Sequence, residues 1–201
     1  MKLRMKILLG FLILSGMLLV AGIWSIYSLN SLGQSVQRLL DDNYRSITAA
    51  DQMLQALERE DSGVLLLLLG RWEEGRQIVD SAHVSFQEAF ERAAQNITIP
   101  GEASYIDRIE ETYQGYQQLW SRPIVDTGRE GNINWYFEEV HQEFLDVRSA
   151  VSELKRLNEQ SLYSTASDLK GRAERAVVPG TVATIAALIF SVLFSYLVSR
   201  F

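Results

Sequence analysis

Two segments of the chain carry no charge, Ile7 to Leu29 ("ILLGFLILSGMLLVAGIWSIYSL") and Val177 to Val198 ("VVPGTVATIAALIFSVLFSYLV"). Each has about 22 residues, enough at ~1.5 Å per residue to cross a hydrocarbon core of ~30 Å as a helix. Between them apolar residues recur at alternating spacings of three and four, the helical signature. A first seam runs through Val36, Leu40, Ile47, Ala50, Leu54, Leu57, Val64 and Leu68, with no proline separating it from the first apolar segment. This predicts one continuous helix to Leu69, stopped by Gly70. A second stripe, Val79, Ala82, Phe86, Ala89, Ala93 and Ile97, stops at the Pro100-Gly101 turn. The third, Ile106, Ile109, Tyr113, Tyr116 and Trp120, ends before Pro123, and "VDTGREGN" follows as a polar loop. The fourth holds Ile133, Phe137, Val140, Phe144, Val147, Val151, Leu154 and Leu157 and runs on toward the second apolar segment.

No stretch alternates with period two, so the fold class is all-α. The pattern predicts an up-down-up-down four-helix bundle continuous with two transmembrane helices. The first and fourth helices are about 40 to 45 residues and the inner pair only about 20 to 27, which leaves a two-helix stalk beyond the Pro100-Gly101 turn. Two helices bury little surface, so pairing with a second copy is expected. The organisation is then residues 1–6 cytoplasmic, 7–29 first span, 30–176 extracytoplasmic bundle, 177–198 second span and 199–201 the start of a further cytoplasmic region.

The five leucines Leu65 to Leu69 fall at the end of the first helix. They are too few to cross a bilayer, and successive residues at ~100° cannot all face one core. A dimer contact is expected there, the alternative being a locally wide core capped by Trp72 and Trp135.

Charge sets the topology. Lys2, Arg4 and Lys6 precede the first span and keep the N-terminus inside. No small-residue cleavage site follows the first apolar run, which favours an uncleaved anchor over a signal peptide. Lys170, Arg172 and Arg175 oppose that orientation, but the rule weakens for long loops. The chain holds 19 Lys and Arg against 25 Asp and Glu; setting aside Lys2, Arg4, Lys6 and Arg200 leaves the loop with fifteen basic and twenty-five acidic residues, a net charge of −10. Such a surface argues against nucleic acid and against docking on anionic lipid. There is no cysteine to form a disulfide framework.

Several polar positions are candidates for chemistry. Glu138-x-x-His141 and Asp80-x-x-His83, with Glu58 and Glu111, imitate a di-iron carboxylate pattern. At ~100° per residue His141 lies about 80° and Glu138 about 140° off the inward direction of the fourth seam, so solvated faces are the better reading, with no metal and no cofactor expected. Counting from Val36 places Asn43 and Asp61 at core positions. A buried carboxylate needs a partner, and Arg59, Arg71 or an arginine of a second chain would supply it; the alternative is a polar residue that sets register. Trp72, Trp120 and Trp135 gather at one pole with Arg71, Arg122 and Arg129, a set able to hold a small anion or aromatic solute or simply to cap the core. In the second span Ala183, Ala187, Ser191, Ser195 and Ser199 recur every four residues, which favours close helix contact. Pro179-Gly180 is a hinge or a first-turn proline.

The arrangement of anchor, long bundle and second span leading into "LVSRF" (Leu197 to Phe201) resembles the periplasmic four-helix-bundle sensor module of HAMP-linked receptors, the membrane sensor histidine kinases and methyl-accepting chemoreceptors. "LEREDSGVLLLLLG" (Leu57 to Gly70) is similar to the corresponding stretch of some sensor kinases, among them the alginate-regulating KinB-like type. The resemblance implies a homodimeric input module in the bacterial inner membrane, its loop outside, passing a conformational signal through the second span to a HAMP domain. It implies a small extracytoplasmic ligand of unknown identity, or none. No phosphorylation box, ATP-binding glycine box or chemoreceptor hairpin occurs in these residues, so no catalysis is expected within them and the output domain lies elsewhere. The alternatives are a chemoreceptor input and a structural dimer that tethers without sensing; a carboxylate metalloenzyme is disfavoured by the helix geometry.

Overall fold

The computed structural model describes residues 3–121 and 132–200. All regular structure among them is helical: α1 Leu3–Leu39, a π-helical segment Leu40–Tyr44, α2 Arg45–Leu68, α3 Trp72–Ala94, α4 Glu102–Ser121, a short α5 Ile133–Trp135, a second π-helical segment Tyr136–Val140, and α6 His141–Arg200. The all-α expectation holds. Positions 122–131, which hold Arg122, Arg129 and the "VDTGREGN" loop except for Asn132, lie outside the described residues.

Contacts divide the chain into two units, Leu39–Ser164 and the pair of segments Met1–Arg38 and Thr165–Phe201. In the first unit α2, α3, α4 and the start of α6 pack antiparallel in sequence order. Lys155 of α6 donates to Asp51 of α2 at 2.7 Å, Arg108 of α4 to Glu153 of α6 at 2.8 Å, and Arg92 of α3 to Gln52 of α2 at 2.6 Å. The core runs from Ala49, Met53 and Leu57 on α2 through Phe86 on α3 and Ile109 on α4 to Val147, Val151 and Leu154 on α6.

The turns follow from local chemistry. Gly70 sits at φ 74°, with Arg71 N donating to Leu66 O and Gly70 N to Leu67 O. This six-to-one and five-to-two pair closes the end of α2 as a glycine cap, which only glycine enters without strain. Between α3 and α4, Gly101 takes φ 88° and Glu102 turns its carboxyl back into the bend. Its Oε2 accepts from Thr98 N and Ile99 N at 2.9 and 3.1 Å, and its Oε1 accepts from Asn158 Nδ2 of α6 at 2.9 Å. Glu102 and Asn158 have no exposed surface, so this knot ties the turn to the fourth helix. Asn96 donating to Ser46 at 3.0 Å does the same for α2.

Two seams slip from their expected register. Val36 is 42% exposed and Leu54 only partly buried, whereas Ser46, Met53 and Glu60 are buried. On α2 the expected Ala50, Leu57, Val64 and Leu68 are buried, but between Leu57 and Val64 the fully buried position is Glu60, three residues on, while Asp61, four residues on, is half-buried. In the fourth helix the π-helical segment Tyr136–Val140 carries one residue more than an α turn, leaving Ile133 and Phe137 exposed and Trp135 and Tyr136 buried. Ile97, beyond the end of α3, is also exposed. In the leucine run Leu67 and Leu68 are buried, Leu65 packs partly against the core, and Leu69 is 73% exposed.

Two helices, Ile7–Gln37 and Ile133–Leu197, are long and apolar enough to cross a membrane, the most apolar stretch of each having a mean hydropathy of 2.5 and 2.2. Phe194 lies directly against Gly10, where a methyl group would meet its ring, and Phe194 stacks on Phe190 at 5.8 Å. Ala187 is buried and Ala183 half-buried, while Ser191, Ser195 and Pro179 are exposed. Pro179 and Gly180 border an apolar cleft with Gly16, Met17, Val20 and Trp24.

Helices α2 and α3 approach closely at Gly63 and Gly75. A Cβ on Gly63 would lie 3.0 Å from both Gly75 O and Val79 N. Backbone cannot step aside, so the ~1 kcal/mol helix-propensity gain of alanine is outweighed by overpacking of typically ~1–3 kcal/mol. Gly63→Ala therefore lowers the thermal midpoint followed by circular dichroism. Gly115→Ala meets only the flexible end of Glu143 at 3.3 Å, and raises it.

Candidate functional site

Two acids, three phenols and two histidines of the bundle gather toward the pole carrying the α2–α3 turn. Glu60 projects from the α2 seam with no exposed surface. Tyr113 of α4 donates to its two carboxyl oxygens at 3.0 and 3.1 Å. His83 of α3 lies alongside, its Nδ1 2.9 Å from the Tyr113 hydroxyl and 3.9 Å from Glu60 Oε1. Gln117 of α4 reaches the same Nδ1 at 2.7 Å. Phe86 stacks on Tyr113 with ring centroids 3.8 Å apart and walls off the inner side.

The next residue, Asp61, is half-buried and turns toward the other side of the core. Tyr136 donates to both of its oxygens at 2.9 and 2.8 Å. Tyr136 owes its inward position to the second π-helical segment. Tyr116 lies between the two carboxyls with its ring 6.4 Å from those of Tyr113 and Phe144 and 6.2 Å from that of Trp120. Its hydroxyl, Trp120 Nε1 and His141 Nδ1 are buried with no hydrogen-bond partner among the described residues.

Two acids so placed are held by phenols, and among the described residues no lysine or arginine forms an ion pair with either. Burial therefore dominates their titration. The Glu60 carboxyl is pushed up to about 8 by desolvation, offset by the Tyr113 hydrogen bond and reinforced by the charge of Asp61. Asp61 is also raised by burial, with the Tyr136 bond and His141 acting the other way. Tyr113, Tyr116 and Tyr136 are all raised by desolvation and the neighbouring acids, so they stay protonated donors.

The structure brings some of the sequence candidates together and disperses others. Asp61 meets Tyr136 in place of an arginine. Arg59 is exposed, and Arg71, also exposed, pairs with Glu74. Trp135 is buried, its indole donating to Glu139 at 3.0 Å, and Trp72 and Trp120 pack at the core margin. Asn43 is buried within the first π-helical segment, its Oδ1 without a hydrogen-bond partner among the described residues. His83 and His141 reach this cluster although their angular offset placed them on solvated faces, because long rings reach inward from flanking positions; the His83 side chain is still partly exposed. Among the described residues no group of three or more His, Cys, Asp or Glu could hold a metal ion. Sequence counting missed Glu60 because between Leu57 and Val64 it took the four-residue step, to Asp61, and not the three-residue step; Tyr113 and Tyr116, read as core, are polar residues inside an apolar stripe and carried the signal.

A family model described as a four helix bundle sensory module for signal transduction matches residues 1–169. No curated protein and no solved structure matches the chain.

The phenols differ in what their hydroxyls do, and single oxygen deletions separate them. Tyr113→Phe and Tyr136→Phe each strand a buried acid and lower stability by about 1–3 kcal/mol. Tyr116→Phe removes an unpaired buried hydroxyl and is neutral or stabilising. Parallel thermal melts of the three variants give this ordering directly.

Proposed function

The chain belongs to the family of four-helix-bundle sensory modules of signal-transduction receptors, and from that membership we propose that it is the extracytoplasmic input module of a two-component sensor histidine kinase in a bacterial inner membrane. Residues 30–176 face the outside, and the two apolar helices span the bilayer. The observation that carries the reading is the length of α6, which runs without a break from His141, in the buried polar cluster, to Arg200, beyond the second apolar segment. A change of packing at one end of such a helix is available at the other as a rotation, tilt or shift. The likeness of Leu57 to Gly70 to sensor-kinase sequence favours a kinase over a methyl-accepting chemoreceptor. A HAMP domain after Phe201 completes the path.

We further infer a homodimer, in which the leucine run supplies one contact. Leu69 places a large apolar side chain in solvent at the α2–α3 turn, where a second copy would cover it.

Two experiments test this. The chain is joined at Phe201 to the HAMP and kinase domains of a characterised receptor. Repacking the bundle with Gly63→Leu is expected to shift basal kinase output several-fold at constant expression. Output indifferent to that change and to deletion of residues 45–158 would leave only a tether. The chain lacks cysteine, so Leu69→Cys reports dimer contact by itself: oxidation in native membranes is expected to cross-link it, whereas the exposed Ser81→Cys stays monomeric. Equal behaviour at the two positions removes the proposed contact.

A further inference from the structure

Glu60 combines properties that a structural core residue does not need. It is fully buried, no lysine or arginine among the described residues pairs with it, and through His83 at 3.9 Å it is still connected to solvent. The connection runs through two hydrogen-bonded steps, Glu60 to Tyr113 at 3.0 Å and Tyr113 to His83 at 2.9 Å, and the His83 side chain is 35% exposed. The titratable groups that face Glu60 come from every packed element: Asp61 on α2, His83 on α3, Tyr113 and Tyr116 on α4, Tyr136 on the π-helical segment and His141 on α6.

From this arrangement we propose that the bundle binds a proton at Glu60 as its stimulus, delivered from the extracytoplasmic medium through His83 and Tyr113. The Tyr113 hydroxyl is the switching element. With Glu60 protonated, the acid donates to Tyr113 Oη and the phenol proton turns to His83 Nδ1. With Glu60 ionised, the phenol donates to the carboxylate and Nδ1, now carrying the relayed proton, donates to the phenol oxygen. Release conserves protons: the acid passes its proton to Tyr113 Oη, the phenol passes its own to Nδ1, and Nε2 yields one to water. The return trip reverses each transfer, so no other reactant is needed.

Ionisation places an unpaired charge beside Asp61 inside the core, which disfavours the packed state and admits water between α2 and α4. The carboxyl is raised from 4.5 to about 8. Packing energy from this group is therefore complete below about pH 4.5 and is lost as pH rises through about 8. Asp61 is shifted in the same direction and adds to the same trend. An acidified medium thus favours the packed bundle, and an alkaline one loosens it. This rests on the sensory-module reading for its meaning but is read out on the chain alone.

The test uses the full chain in lipid nanodiscs, titrated from roughly pH 6 to pH 10, a window that brackets the Glu60 value of about 8. Infrared spectroscopy is expected to show the carbonyl stretch of a buried protonated acid, vanishing with a midpoint near pH 8 and absent in Glu60→Gln. The thermal midpoint falls as pH rises to about 8 in the wild type and falls less in Glu60→Gln, which retains the hydrogen bond but not the charge and leaves only the contribution of Asp61. Tyr113→Phe folds around the neutral acid and moves the infrared midpoint upward, because the bond it removes favours the ionised form. His83→Phe leaves the band but slows its response to a pH jump about tenfold. A wild type with no such band, or a Glu60→Gln variant that keeps the transition, overturns the proposal. The kinase chimera's response to Gly63→Leu is independent of these readings, so a failed module and a failed proton site give different results.

Discussion

A carboxyl group with no access to water, bonded only to a phenol, sets the terms for the upper half of the bundle. Glu60 on the α2 seam cannot be left unpaired without a penalty of several kcal/mol, and the aliphatic side chains around it offer nothing. Tyr113 must therefore come from α4 with its hydroxyl aimed across the core, and His83 and Gln117 must hold that hydroxyl from α3 and α4. Phe86 stacked on the Tyr113 ring fixes the distance between the two helices. Asp61 and Tyr136 repeat the device one residue on, against the fourth helix. All four helices are thereby registered by two acids that favour the same, protonated condition.

The opposite pole is built differently. Glu102 is as buried as Glu60, but its oxygens accept from two backbone amides and the Asn158 side chain. Those donors are fixed by the turn and cannot reorient, so the knot defines one geometry. At Glu60 the donor is a single hydroxyl that rotates, and its second partner is an imidazole nitrogen. One pole is thus a rigid closure and the other a site with two hydrogen-bonding states. The close passage of α2 over α3 at Gly63 and Gly75 lies beside the second kind, so a small change there alters contacts that have no slack.

The all-α class, the helix ends at Gly70 and Pro100-Gly101, and the inner stripes of α3 and α4 were legible because each rests on a local rule: periodicity, a left-handed glycine, a proline. Val79, Phe86, Ile109 and Tyr113 fall inward as their spacing requires. The outer helices were read less well. Between Leu57 and Val64 a step of three and a step of four are equally regular, so counting alone does not choose between Glu60 and Asp61. Counting also assumes an unbroken α-helix, and the π-helical segment Tyr136–Val140 adds a residue that no propensity marks, exposing Ile133 and Phe137 while burying Tyr136. The histidines were misjudged for a separate reason: a ring some 80° off the seam still reaches the core margin when its neighbours are aromatic, as His141 does among Tyr136, Phe137 and Phe144.

The π-helical segments have a consequence beyond register. Each falls where a core-forming helix meets a different environment: Leu40–Tyr44 next to the boundary between the two units, and Tyr136–Val140 immediately after the residues that open the fourth helix. An extra residue in a turn is held only while the packing around it is worth more than the strained hydrogen bonding it imposes. For the second segment that packing is Tyr136 on Asp61 together with Val140 in the core. Asn43, buried in the first with an unpaired Oδ1 among the described residues, gives that segment no comparable anchor. Weakening the polar cluster therefore removes the reason for the second π-helical turn. Its relaxation to an α-helix would rotate the start of α6 by one residue, a discrete step of the kind a sensory helix transmits.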